Sequence, residues 1–208
     1  MSLSLSPLTV VFDYGDVISL PQNPADFERV LELTGLDADT LLPAYWRHRA
    51  PLDQGRLSVH EYWRTLADEL GTSWSDSRIQ EIWISDFRSW LSIDPAVFDI
   101  IRELHEGGTR LALLSNAGAD FGGYFRHGPL SSYFDHFVVS GEIDMIKPNH
   151  DIYVHTLNAL GIDAAEMVFI DNKEENISAA RALGIIGHVY TSPGNLREFL
   201  SELAASRA

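Results

Sequence analysis

The sequence has no cysteine. That removes disulfides, thiolate metal sites and cysteine nucleophiles from consideration, and it fits a reducing, cytoplasmic setting. Positive charge is also scarce: 15 Lys and Arg stand against 30 Asp and Glu, for a formal net charge of −15. Such a chain repels nucleic-acid phosphates and anionic membrane surfaces, so neither is expected as a partner. No run of 18 apolar residues occurs, so no membrane span is expected. The opening Met1-Ser2-Leu3-Ser4-Leu5-Ser6-Pro7 has neither a basic stretch nor an apolar core, and no cleavable signal is expected there. No G-x-G-x-x-G follows the first apolar run, which argues against a dinucleotide site.

What the chain does have is a globular composition. Its 208 residues are 45% hydrophobic and 22% charged, enough for one domain with a sizeable insertion. Leu8, Val10, Val11 and Phe12 form a short, partly β-branched apolar run that reads as a strand buried on both faces. It stops at Asp13, with Gly15 two residues on. A carboxylate at the carboxyl end of a buried strand lies where open α/β sheets place their ligands.

From residue 24 to about 92 the periodicity is helical. Helices are expected over 24–34, 38–49, 58–70 and 75–90, with residues 50–56 as a loop. Asn23-Pro24 marks the first start, and Ser58-Val59-His60-Glu61 has the capping-box form. All five tryptophans (Trp46, Trp63, Trp74, Trp83 and Trp90) lie in this stretch, which predicts a separate hydrophobic core, with one or two indoles lining a pocket. From Asp94 onward strands and helices alternate, as in α/β folds with a parallel sheet. Strands are expected at 110–114, 136–139, 167–170 and 185–190. Three of the strands therefore end in polar groups, at Asp13, at Ser115-Asn116 and at Asp171-Asn172, which a parallel sheet brings to one edge.

These groups suit one chemistry. Asp13 is a candidate nucleophile, since a carboxylate can attack phosphorus and form an aspartyl-phosphate. Two anions meet in that step, so a divalent cation is expected, and Mg²⁺ takes oxygen ligands. Asp13 and the Gly15 carbonyl supply two, and Asp171 or Asn172 a third. Ser115 and the Asn116 backbone N–H can donate to phosphoryl oxygens. Lys147, just before a helix, can neutralise the phosphoryl group and steady Asp13. Tyr45, Trp46, Arg47, His48, Arg49 and Arg56 could contact a sugar or small acid, or the arginines could simply pair with the chain's many carboxylates. Asp120, Tyr124, Arg126 and His127 could border the pocket. Asp16 is expected to point away from it.

The order of these motifs resembles the haloacid dehalogenase (HAD) superfamily over nearly the whole chain. Phe12-Asp13-Tyr14-Gly15-Asp16-Val17-Ile18 looks like the first motif, Leu113-Leu114-Ser115-Asn116-Ala117 the second, Ile146-Lys147-Pro148 the third, and Phe169-Ile170-Asp171-Asn172 through Asn176 the fourth. The resemblance implies a Rossmann-like parallel sheet with helices on both faces and an inserted four-helix cap, with residues 1–18 and 94–208 as core and 19–93 as cap. It also implies Mg²⁺ and hydrolysis of a small phosphorylated metabolite through phospho-Asp13. Two positions depart from the family's phosphatases. Gly15 stands where a second Asp usually serves as general acid, a loss worth on the order of 10²–10⁴ in rate, although some members also carry Gly there. Asn172 stands where an Asp usually binds metal. A catalytically weak binding or regulatory module that keeps the fold is therefore an alternative. A 2-haloacid dehalogenase is another, but that branch has Tyr two residues after the nucleophile, whereas Tyr14 follows Asp13 directly.

Overall fold

The computed structural model describes residues 3–207. Met1 and Ser2 of the opening stretch, and Ala208 at the far end of the expected core, lie outside the described residues. Strands β1 (Thr9–Phe12), β2 (Arg110–Ser115), β3 (His136–Val139), β4 (Met167–Asp171) and β5 (Ile186–Val189) form one sheet in the order β3-β2-β1-β4-β5. Every neighbouring pair is parallel. The chain runs outward from β1 to β3, then crosses to β4 on the other side of β1. The strand order thus reverses beside β1, and the carboxyl ends of β1 and β4 frame the crevice of a doubly wound sheet.

Between β1 and β2 come α1 (Pro24–Thr34), α2 (Ala38–Arg47), α3 (Arg49–Asp53), α4 (Val59–Glu69), α5 (Asp76–Ser89) and α6 (Pro95–Glu106). The starts follow from local chemistry. Asn23 accepts from the N–H groups of Ala25 and Asp26 ahead of Pro24. Ser58 and Glu61 close a reciprocal capping box, and Ser75 accepts from the Arg78 N–H. The four long helices before α6 lie where periodicity put them, but the expected loop over 50–56 does not. Residues 49–53 form the one-turn α3, which tolerates Pro51 because it sits in a first turn, where a missing N–H costs no helical bond.

After β2 come α7 (Asp120–His127), α8 (Ser140–Ile143) beyond β3, α9 (His150–Leu160), a 3₁₀ turn (Ala164–Glu166), α10 (Glu174–Ala182) and α11 (Pro193–Ala205). Successive β1 side chains serve opposite layers. Val10 and Phe12 pack with α6, α7 and α11, whereas Val11 packs with α9 and α10. The expected separate core of the helical block is not observed. Tyr45, Trp63, Leu66, Ile79, Ile82 and Trp83 belong to one continuous cluster with Val10, Phe12, Leu111 and Leu113 of the sheet. Aromatic rings make the join: Phe87 lies 4.5 Å and Trp83 6.4 Å from Phe121 of α7, centroid to centroid. Each buried Leu, Ile or Phe contributes about 1.5–3 kcal/mol, against at most about 1 kcal/mol for an exposed ion pair such as Arg56–Asp144. Packing therefore holds the block over the sheet edge.

Candidate active site

β1 ends at Phe12, but the Asp13 N–H still donates to the Ile170 carbonyl at 2.8 Å. The ladder with β4 thus carries Asp13 to the crevice, where only 7% of it is exposed. Lys147 Nζ lies 2.7 Å from Asp13 Oδ1 and 2.7 Å from Asp171 Oδ2, and donates to the Leu114 carbonyl at 3.0 Å. Those three partners account for all three N–H donors of an ammonium. Lys147 is therefore locked, and what it can offer a ligand is its charge and its hold on Asp13. Burial opposes that charge, but the carboxylates of Asp13 and Asp171 outweigh it and raise the Lys147 pKa. Asp13 carries the cost. Burial, helped by the Asp171 charge, pushes its carboxyl up to about 7 against the pull of Lys147.

Asp171, at the end of β4, is fully buried. Its Oδ1 accepts from the Lys173 N–H at 2.8 Å, and its Oδ2 accepts from Lys147 Nζ and from Asn176 Nδ2 at 2.9 Å. Both oxygens are occupied by protein donors, so its geometry is that of an anchor for Lys147 rather than of a free ligand. Asn172 is the opposite case. Its Oδ1 is buried with no hydrogen-bond partner among the described residues, and it lines the same cavity as Asp13 and Gly15. A buried carbonyl oxygen facing no donor suits a hard cation. Among the described residues no group of three or more His, Asp or Glu is arranged to hold a metal. The donors that fit a cation are thus a mixed set: the Asp13 carboxylate, the Gly15 carbonyl and Asn172 Oδ1.

Ser115, the last residue of β2, is buried and lines the cavity. The Asn116 side chain does not point a free group at a ligand: Nδ2 donates to the Lys147 carbonyl and Oδ1 accepts from the Lys147 N–H, both at 2.9 Å. That pair fixes the Lys147 loop and leaves the Asn116 backbone N–H as what this residue can offer. Asp16 corrects an expectation. It takes a left-handed conformation, φ 57°, and lines the cavity instead of turning away. The segment is not extended, because the Tyr14 carbonyl accepts from the N–H groups of Ile18 and Ser19, which curls the chain.

The cavity measures about 300 Å³, at the small end of ligand pockets. Its far wall comes from the helical block: Trp46, Arg49, Asp53 and Trp90, with Phe121 from α7. Of the basic residues singled out in the helical block, only Arg49 reaches it. Arg47 and His48 both pair with Glu69, and Arg56 pairs with Asp144, on the outer surface. None of Asp120, Tyr124, Arg126 and His127 lines it. Asp53 and the anchoring role of Asn176 are not singled out by sequence reasoning, although Asn176 falls within the fourth motif.

Residues 56–187 match the family model of haloacid dehalogenase-like hydrolases. The chain is 26% identical to a D-ribitol-5-phosphate phosphatase of Bacteroides thetaiotaomicron over 84% of its own length and 87% of the relative's. It is 28% identical to the bifunctional epoxide hydrolase 2 of Mus musculus over 90% of its length, spanning 37% of that longer protein. Among solved structures, a HAD family enzyme of Bacteroides thetaiotaomicron in complex with magnesium and inorganic phosphate superposes with a TM-score of 0.69 at 22% identity, covering 88% of this chain and 94% of that one. An L-2-haloacid dehalogenase superposes with a TM-score of 0.70 at 17% identity, covering 96% and 99%.

Proposed function

This chain belongs to the haloacid dehalogenase-like hydrolase family, and from that premise we propose that it is a Mg²⁺-dependent phosphatase of small phosphorylated metabolites, with Asp13 as nucleophile. The observation that carries the reading is the buried Lys147 ammonium bridging Asp13 and Asp171 at 2.7 Å each, beside Ser115, at the switch point of the sheet. That arrangement holds one carboxylate oxygen and leaves the carboxylate at the cavity wall as an attacking group. Similarity to a D-ribitol-5-phosphate phosphatase and to a fold neighbour crystallised with magnesium and phosphate supports it.

Asp13, the Gly15 carbonyl and Asn172 would hold the Mg²⁺, whose chemical contribution is to offset the charge of the phosphoryl oxygens. The chain's own residues do the rest. Asp13 attacks phosphorus as the P–O bond to the ester oxygen breaks, that oxygen taking its proton from water because position 15 offers no acid. A second water then attacks phospho-Asp13, releasing phosphate and restoring the carboxylate. Lys147 keeps Asp13 in one rotamer and supplies fixed positive charge next to the reacting group. Ser115 and the Asn116 N–H donate to phosphoryl oxygens. The helical block acts as a cap that narrows access to the carboxyl edge and excludes water.

A phosphate-release screen over small phosphate esters, with and without Mg²⁺, tests this. The expected result is release that needs Mg²⁺, is reversed by chelation and falls at least a hundredfold in Asp13→Asn, at the scale of losing a nucleophile. Unchanged release by Asp13→Asn would overturn the role of Asp13. No release from any ester, with Mg²⁺ shown not to bind, would favour a non-catalytic binding module.

A further inference from the structure

The cavity has a second polar cluster, facing the phosphoryl end from the helical block, that the steps above leave unused. Arg49 is only 9% exposed. Its Nε donates to Asp53 Oδ1 at 2.8 Å, and its Nη1 donates to the Tyr45 hydroxyl and, at 3.4 Å, to Asp86 Oδ2. The Tyr45 hydroxyl in turn donates to Asp86 Oδ1 at 2.9 Å, and Gln22 Nε2 donates to the same oxygen at 3.1 Å. Arg49 Nη2 and Asp53 Oδ2 have no hydrogen-bond partner among the described residues, and neither is sealed from solvent. Both residues line the cavity. The free donor and the free acceptor therefore belong to one bonded pair, in the same cavity as Asp13.

We propose that the Arg49–Asp53 pair is the subsite that selects the leaving group, and that it takes a neutral, hydroxylated one, so that the substrates are phosphate monoesters of short polyols or sugars. This rests on the phosphatase reading above. A hydroxyl both donates and accepts, and so answers a guanidinium N–H and a carboxylate oxygen held side by side. A carboxylate or a second phosphate can only accept, and meets Asp53 as a like charge. The two buried cations of the cavity are already shared. Arg49 is shared between Asp53 and Asp86, and Lys147 between Asp13 and Asp171. Lys173, the remaining basic residue on the wall, has no ion pair among the described residues, but its single charge is set against two carboxylates of the same cavity, Asp16 and Asp53, so the wall stays negative on balance. The indoles of Trp46 and Trp90 add flat apolar surface for the carbon skeleton. The pair is also fixed relative to the phosphoryl end. Ser140 Oγ donates to the Asp53 carbonyl and accepts from the Ala117 N–H at 2.9 Å, tying α3 to the loop after β2.

The test compares kcat/KM for erythritol 4-phosphate and for 2-phosphoglycolate, both alkyl esters, in the wild type and in Asp53→Asn and Arg49→Lys. The wild type should prefer the polyol ester. Asp53→Asn keeps an acceptor for Arg49 Nε but removes one negative charge and turns a donor toward the cavity. Arg49→Lys keeps the charge and loses the planar fork. Each should lower the ratio of polyol to glycolate ester by about tenfold or more, the scale of one lost hydrogen bond to a charged group. A purely structural role would lower both esters together and leave the ratio in place, which would overturn the inference. So would a wild type that prefers 2-phosphoglycolate. If neither these esters nor p-nitrophenyl phosphate is hydrolysed, the phosphatase reading fails separately, and titration calorimetry decides on the subsite. Polyol-ester binding that is selective in the wild type and lost in Asp53→Asn upholds it. Equal binding of both esters, or binding of neither, overturns it.

Discussion

At the scale of single residues, the site is an electrostatic compromise around Lys147. Its ammonium faces two carboxylates, so one negative charge is left over in a buried place, and it falls on Asp13, whose pKa rises to about 7 through burial. A carboxyl with a raised native pKa binds its proton more tightly when folded than when unfolded. Its favourable contribution is complete below the unfolded value of 3.8 and is lost as pH climbs through about 7. Asparagine mimics the protonated form at every pH. In the absence of divalent cations, the Tm advantage of Asp13→Asn over the wild type should therefore be smallest near pH 4, grow through pH 5 and 6, and level off above about pH 7. Calorimetric scans across that range check this, and a difference that stays constant or shrinks would contradict the assignment. Residue-scale legibility follows from chain position. Asp13, Ser115 and Asp171 could be read because each ends an apolar strand, and strand ends in a parallel sheet converge. That Asp171 anchors Lys147 could not be read, because nothing in the order of residues says which carboxylate an ammonium 24 positions away will meet.

At the scale of elements, capping signals carried most of the information. Asn23-Pro24, Ser58 with Glu61, and Ser75 fixed three helix starts because a side chain answers backbone N–H groups only a few positions on. The one-turn α3 escaped because five residues give no periodicity to read. It is nevertheless the element that carries both Arg49 and Asp53 to the cavity. Asp53 falls in the stretch that reads as a loop, where nothing in the sequence singles it out, and Asp86, which completes the cluster, comes 37 positions after Arg49. The turn after α3 also shows how closely the helical block meets the sheet layer. Gly55 has φ +75°, and a Cβ there would lie 2.2 Å from the Gly141 carbonyl oxygen. Gly55→Ala combines a left-handed backbone with a backbone clash, and should cost roughly 2–4 kcal/mol in urea unfolding. A loss below about 0.5 kcal/mol, the range of ordinary surface changes, would show that the two segments are not in fixed contact.

At the scale of the whole molecule, the sheet and the helical block act as one packed body with a small cavity at their junction. The class of fold was legible because the strand and helix periods alternate after Asp94. The continuity of the core was not, because five tryptophans in one stretch suggest an independent cluster, and only the fold reveals that Trp83 and Phe87 reach Phe121. The cavity walls divide the chemistry between them. In the proposed function the strand ends would hold the phosphoryl group, and the block would read what is attached to it. Everything depends on Asp13 taking the phosphoryl group. The most direct measurement is therefore acid quenching of the protein during turnover of acetyl phosphate with Mg²⁺, followed by peptide mass mapping. The account predicts one added phosphoryl mass on the peptide containing Asp13, carried by Asp13 itself and absent from Asp13→Asn. Phosphate released at the same rate with no adduct at Asp13, or an adduct on Asp16 instead, would contradict it.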